Sequence, residues 1–306
     1  MGKQMSPNPN PLGSTITLAD GDYNSLKDSY LNSGNIFLNE YFNNNAIFNN
    51  SFMLSINGGI LRNYGGLVNN GTLANNNGTL GSNQSLVNTG RLTNNKGTLN
   101  NNDGDMLSNN NEGALDNIND GRLNNDGTLN NKGWLYNKGN PLNYSTLNNY
   151  IMLINNGVID NSENKLGAKG FINNGTNGTY QVTGNIKGSC TDHETVKPGN
   201  CAGGMLVDGN YYKKGGSKEI ELGGTYHGDG DRTATEHDWI EITGDLELAG
   251  KPDVSLIDGF KLSAGDSFVI AKVDGDLSGE YDGLDEGDSV GRFENVNGGK
   301  LDLFIT

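Results

Sequence analysis

Cysteine and proline are scarce in this chain, with two and six in 306 residues, and tryptophan occurs only twice. Two cysteines exclude a multi-disulfide scaffold and a four-thiolate zinc site. Basic residues are also few: 21 Lys and Arg stand against 36 Asp and Glu, a net charge of −15. A chain without a basic stripe cannot displace the counterions that drive nucleic-acid binding, and it is not drawn to an anionic membrane. No apolar run of membrane-spanning length occurs, so membrane insertion is not expected within this chain. Residues 1–14 are polar and proline-containing, without the apolar stretch of a signal peptide. The expectation is either a mature or cloned fragment of an exported protein, or a protein that reaches the outside by another route, such as assembly on a virus particle.

Hydrophobic residues make up only 33% of the chain, too little for a thick globular core. What is abundant is glycine, 47 residues, and asparagine, 51 residues. Both disfavour helix interiors, which excludes an all-α or doubly wound α/β enzyme. Either the chain is disordered, or it has a thin core with a turn every few residues. The asparagines are uneven, with 46 in residues 1–180 and five in 181–306. Charge divides at the same place, net −2 before and net −13 after. We read a tail and cap over 1–34, a repeat region over 35–180, and an acidic β region over 181–306.

The repeat region reuses one phrase: an aliphatic residue, any residue, then Asn, with Gly soon after. Leu61 and Asn63, Leu67 and Asn69, Leu73 and Asn75, Leu86 and Asn88, Leu92 and Asn94, and Leu99 and Asn101 are instances. From Leu61 the aliphatic positions advance by 6, 6 and 7 residues, twice over, to Leu99, and the same steps return from Leu123 to Leu142. A helix cannot carry that step, whereas a short strand and a glycine-bearing corner can. Three steps make a coil of about 19 residues, so the expected fold is all-β: a three-sided parallel β-solenoid with a rung spacing of about 4.8 Å. Asn, two residues after an inward Leu, falls on the same face at the corner, where its amide can ladder to the Asn above and below. The following Gly is expected to supply a positive φ at the corner. The steps lengthen to 8 between Leu99 and Leu123, where loops should bulge. Phe37, Tyr41, Phe42, Phe48 and Phe52 are expected to close the open end of the core.

This tract, with its Gly-x-Leu-x-Asn-x-Gly rhythm, resembles the β-helical passengers of autotransporter and haemagglutinin-like surface adhesins. After residue 180 the strands lengthen: Lys218–Leu222, Trp239–Thr243, Leu246–Leu248, Asp253–Ile257, Ser267–Ala271 and Lys300–Thr306 alternate apolar and polar residues between Gly and Asp turns. The phrases Asp238-Trp-Ile-Glu-Ile-Thr-Gly244, Leu246-Glu-Leu-Ala-Gly250, Val254-Ser-Leu-Ile-Asp-Gly-Phe260 and Ala264-Gly-Asp-Ser-Phe-Val-Ile270 resemble the wider-coiled segment that closes such passengers. The resemblance implies a closing module that helps the β-helix fold.

Cys190 and Cys201 bracket a polar loop and are read as a disulfide pinning an exposed projection, itself a candidate partner contact. Asp229, Asp231, Glu236 and Asp238 are the best candidates for Ca²⁺, although they fail the EF-hand and calcium-roll patterns, and solvated turn carboxylates are the plainer reading. The same question attaches to Asp282, Asp285, Glu286 and Asp288. No cofactor is required. Leu301, Leu303, Phe304 and Ile305 form an apolar final strand able to pair with another copy. Outward positions Thr72, Arg91, Thr98, Arg122, Thr128 and Trp134 form no continuous stripe.

Carboxylates at Asp103, Asp105, Glu112, Asp116, Asp120, Asp126 and Asp160 leave room for a sugar-cleaving groove, but the stretch 101–126 has no aromatic residue for sugar stacking, and no catalytic motif occurs. The expected function is a non-enzymatic extracellular or cell-surface adhesin, spacer or self-assembling filament subunit. Its partner is itself or a surface glycan or protein. The alternatives are a phage virion appendage and a carbohydrate-cleaving β-helix.

Overall fold

In the computed structural model, the protein is described over residues 9–305, apart from 19–23, 27–28, 40, 102–105, 110–112, 119–121, 126–127, 132–133, 138–141, 144–145, 150–151, 156–157, 161–170, 175–178, 183 and 200. Short strands follow one another three to a coil, and within three 12-stranded sheets each strand pairs in parallel with the strand three places on. Thr72–Asn76, Thr79–Ser82 and Ser85–Asn88 make one coil; Arg91–Asn95, Thr98–Asn101 and Met106–Asn109 make the next. The fold is a three-sided parallel β-solenoid with roughly 20 residues per turn. Among the described residues the only helical piece is a 3-10 turn at Gly228–Gly230. Contacts divide the chain into residues 1–171 and 172–306.

In the first unit the leucines stack in columns. Leu54, Leu73, Leu92, Leu115, Leu135 and Leu153 are in register, and each is at most 2% exposed. Every such side chain contributes about 1.5–3 kcal/mol by leaving water, so a narrow column suffices where a thick core cannot form. The lengthened steps change the corners and not the register: Leu99 pairs with Leu123 and Leu86 with Leu107. The loops expected there lie in 102–105, 110–112 and 119–121, outside the described residues.

Two sequence expectations need correction here. Parallel pairing is present ahead of residue 35: Thr15–Leu18, Asn24–Leu26 and Tyr30–Asn32 each pair with a strand of the following coil. Tyr30, Phe42 and Phe48 are buried in the interior of these first coils, with Tyr30 and Phe48 rings 5.4 Å apart, whereas Tyr41 and Phe52 point outward and are 39% and 44% exposed. The corner glycines Gly71 and Gly90 are present for room and not for φ. A Cβ on Gly71 would stand 2.2 Å from the Phe52 carbonyl oxygen, and one on Gly90 would stand 2.1 Å from that of Gly71. The expected positive φ is found at the corner Gly58, and in the next two coils at Asn77 and Lys96.

In the second unit the coils lengthen. Thr179 pairs with Thr195, but Met205 pairs with Ile240 and Ser217 with Lys251, the extra residues lying in corners such as 223–238. Tyr180, Cys190, Val196, Met205, Tyr211, Ile220, Trp239 and Ile242 fill this interior. The strand expected at Ser267–Ala271 forms later, as Ala271–Val273. The apolar strand Lys300–Phe304 does not stand alone: it pairs antiparallel with Ser289–Glu294, Phe293 opposite Leu301 and Arg292 opposite Asp302. Leu301 and Leu303 are half-buried there, Phe304 is 54% exposed, and the Ile305 amide donates to the Asp288 carbonyl.

Candidate functional site

Asparagine ladders line the corners of the first unit. Asn75 Nδ2 donates to Asn94 Oδ1, Asn94 to Asn117, Asn117 to Asn137, and Asn137 to Asn155, all at 2.7–2.9 Å. A second ladder runs through Asn32, Asn50, Asn69, Asn88, Asn109, Asn131 and Asn149 in the same direction. Asn63 and Asn101 occupy the third, where Asn44 donates to Asn63 and Asn101 to Asn125. All these asparagines are at most 2% exposed, as are Leu61, Leu67, Leu73, Leu86, Leu92 and Leu99 beside them. Their second proton commonly reaches a strand carbonyl, as from Asn75 to Thr98, so the buried amides cost little desolvation.

In the second unit the same corner position takes charged residues. Inward Ile172 is followed two residues on by Asn174, inward Cys190 by Asp192, and inward Tyr211 by Lys213. Asn174 Nδ2 and the Glu194 amide donate to Asp192 Oδ1, at 2.8 and 3.1 Å. The Tyr211 hydroxyl and Lys213 Nζ donate to Asp192 Oδ2, at 2.9 and 2.8 Å. Lys213 also donates to the Glu194 carbonyl. Asp192 and Lys213 are 0% and 1% exposed. Burial, then the charge of Asp192, holds the Tyr211 hydroxyl well above its usual range.

A second pair of buried ionisable groups lies at Lys218 and Asp238. Lys218 Nζ donates to the Ile270 carbonyl at 2.5 Å. Burial pushes Lys218 down to about 7, opposed by the Asp238 carboxylate and reinforced by the Lys213 charge. Burial pushes Asp238 up to about 8 against the amides of Glu221 and Gly203, which donate to it at 2.9 and 2.8 Å. Nearby, the His227 ring is tilted against Trp239 with centroids 4.2 Å apart and lies 5.7 Å from His237. Burial, then His227, lowers the His237 imidazole from its usual value.

The candidate calcium ligands are not gathered. Asp238 is buried on two backbone amides, Asp231 accepts from the Thr233 amide and hydroxyl, and Glu236 accepts from the Tyr226 amide. Asp229 occupies a left-handed turn. Among the described residues no three metal-ligating side chains converge.

The expected disulfide is also corrected: Cys190 and Cys201 are both free. The segment between them is not a projecting loop, because Cys190–Asp192 and Thr195–Pro198 are regular strands of the stack. Strand alternation turns Cys190 into the interior, where burial pushes its thiol far up, while Cys201 is exposed beside a cavity of about 200 Å³ bordered by Arg232 and Thr233. The Arg232 guanidinium is occupied by Glu241 at 2.9 Å.

Of the carboxylates weighed for a sugar-cleaving groove, Asp116 pairs with Arg91 at 2.8 Å. Asp103, Asp105, Glu112, Asp120 and Asp126, and the side chains of Asp160, Arg122, Thr128 and Trp134, lie outside the described residues. Sequence reasoning missed Asp192, Tyr211, Lys213 and Lys218. The signal for Asp192 and Lys213 was the two-residue offset from an inward residue that elsewhere marks the ladder asparagine. No protein-family model, curated protein or solved structure matches the chain.

Proposed function

We propose that the chain is a non-enzymatic extracellular structural or adhesive β-solenoid, a spacer or adhesin on a cell surface. The observation that carries this reading is the use of the corners: interior polar groups of the first unit are engaged in amide ladders between coils, which stiffen the stack and leave its outward faces for recognition. The rhythm it shares with adhesin passengers supports the same reading. Exposed Tyr41, Ile47, Tyr64 and Met106 are single contacts on those outward surfaces, suited to a glycan or protein. The test is a pair of measurements on the full chain. Beads coated with it should bind cell-surface glycans or proteins saturably, and incubation with polysaccharides should release no new reducing or unsaturated ends. Release of sugar fragments would overturn the reading, as would failure of the coated beads to bind any cell surface.

A further inference from the structure

We propose that Asp192 and Lys213 are the site of a self-catalysed covalent cross-link, an isopeptide bond between Asp192 Cγ and Lys213 Nζ. The two residues are in register on adjacent parallel strands, Cys190–Asp192 and Tyr211–Lys213. Their side chains meet at 2.8 Å with exposures of 0% and 1%, so the reacting pair is held in place away from water. Such fixed pairs reach effective molarities on the order of 10⁵ M, enough to favour an amide that dilute amine and acid do not form.

The groups around the carboxyl match the needs of acyl transfer. Oδ1 accepts from Asn174 Nδ2 and the Glu194 amide, two donors placed to stabilise negative charge as it develops on that oxygen. Oδ2 accepts from the Tyr211 hydroxyl at 2.9 Å, which makes it the leaving oxygen and the phenol its proton relay. The contact of Lys213 with the Glu194 carbonyl holds the nitrogen beside the carboxyl.

The step balances without a co-reactant. A proton passes from Nζ to Oδ2, turning the ion pair into amine and acid with no change in net charge. Nζ then bonds to Cγ, and the charge formed rests on Oδ1. A second Nζ proton reaches Oδ2 through the Tyr211 oxygen, the Cγ–Oδ2 bond breaks, and water leaves. One hydrogen remains on the amide nitrogen, and Tyr211 ends as it began. The bond joins two consecutive coils and prevents their unstacking at that corner. Two other lysine–carboxylate pairs of this unit, Lys197 with Glu219 and Lys214 with Glu247, have side chains 28–42% exposed and keep water at hand for hydrolysis.

The test is the intact mass of the purified full chain under denaturing conditions. Cross-linked protein is lighter than its sequence by one water, and its digest contains a branched peptide joining the two strands. Lys213→Met should restore the sequence mass, and Tyr211→Phe should lower the rate of cross-linking by about 10²-fold. A wild-type chain that keeps its sequence mass after prolonged incubation at physiological temperature would overturn the proposal. So would a deficit of one water without the branched peptide, the mark of a cyclised aspartate. Both readings come from wild-type protein, so they stand even where a variant fails to fold.

Discussion

Lys213 Nζ donates to Asp192 Oδ2 at 2.8 Å at a buried corner position of the kind that asparagine fills in the first unit. Asp192 can accept from both sides, which lets it take the Asn174 amide and the Lys213 ammonium together. Removing one partner strands a buried charge. Lys213→Met in chain that is not cross-linked should lose about 3–5 kcal/mol, and adding Asp192→Asn should recover most of it by giving the Asn174 side chain a neutral amide to donate to, as on the ladders of the first unit. Urea titrations followed by circular dichroism measure both.

Asn94 is a middle rung, accepting from Asn75 and donating to Asn117 and to the Gly97 carbonyl. Asn94→Ala leaves the Asn75 donor and the Asn117 acceptor facing a void. Each stranded group should cost about 1–3 kcal/mol, read as a lowered urea midpoint.

Gly90→Ala and Gly81→Ala separate room from conformation. A Cβ at Gly90 meets the Gly71 carbonyl oxygen at 2.1 Å, whereas at Gly81 the nearest atom is 3.8 Å away. Neither glycine has a positive φ. Gly90→Ala should destabilise by about 1–3 kcal/mol as the coils are forced apart, and Gly81→Ala should be neutral or slightly stabilising. Equal losses in thermal melts would sink the steric account of the corners.

Lys218 sets a pH dependence. Its folded-state value, about 7, lies below its ordinary 10.5, so between these limits the unfolded chain binds more protons. Stability therefore rises with pH across that window, with a slope of up to about 1.4 kcal/mol per pH unit. Lys218→Met removes this contribution and should be neutral or stabilising near pH 7, where burying the amine costs most. Denaturant midpoints of the two proteins from pH 7 to 10 test this.

The three-sided coil was legible in the sequence because its information is local. Leu73 and Asn75 lie two residues apart on one strand face, and steps of 6, 6 and 7 residues bring that face round again whatever lies above or below. The ladder positions Asn63, Asn69, Asn75, Asn88, Asn94 and Asn101 follow from that offset alone. Asp192, Tyr211 and Lys213 carry the same offset, but their meaning depends on which residues become vertical neighbours. Coil lengths change in the second unit, so only the pairing of Cys190–Asp192 with Tyr211–Lys213 decides that a carboxylate, a phenol and an amine share one dry corner.

The same distinction separates the remaining readings. Cysteine spacing suggested a closed loop, yet alternation along the strand sends Cys190 inward, and only the stack shows which way each thiol faces. The apolar pattern of Lys300–Phe304 marked a strand, and its antiparallel partner at Ser289–Glu294 was set by a turn that no periodicity records. Glycine at the corners was visible by composition, but its reason, the approach of one coil's carbonyl to the next, exists only when coils are stacked. Periodicity therefore determined the faces and the thin apolar column, since both arise within one strand and its corner. Tertiary structure decided the buried chemistry, since it arises between residues that only stacking makes neighbours.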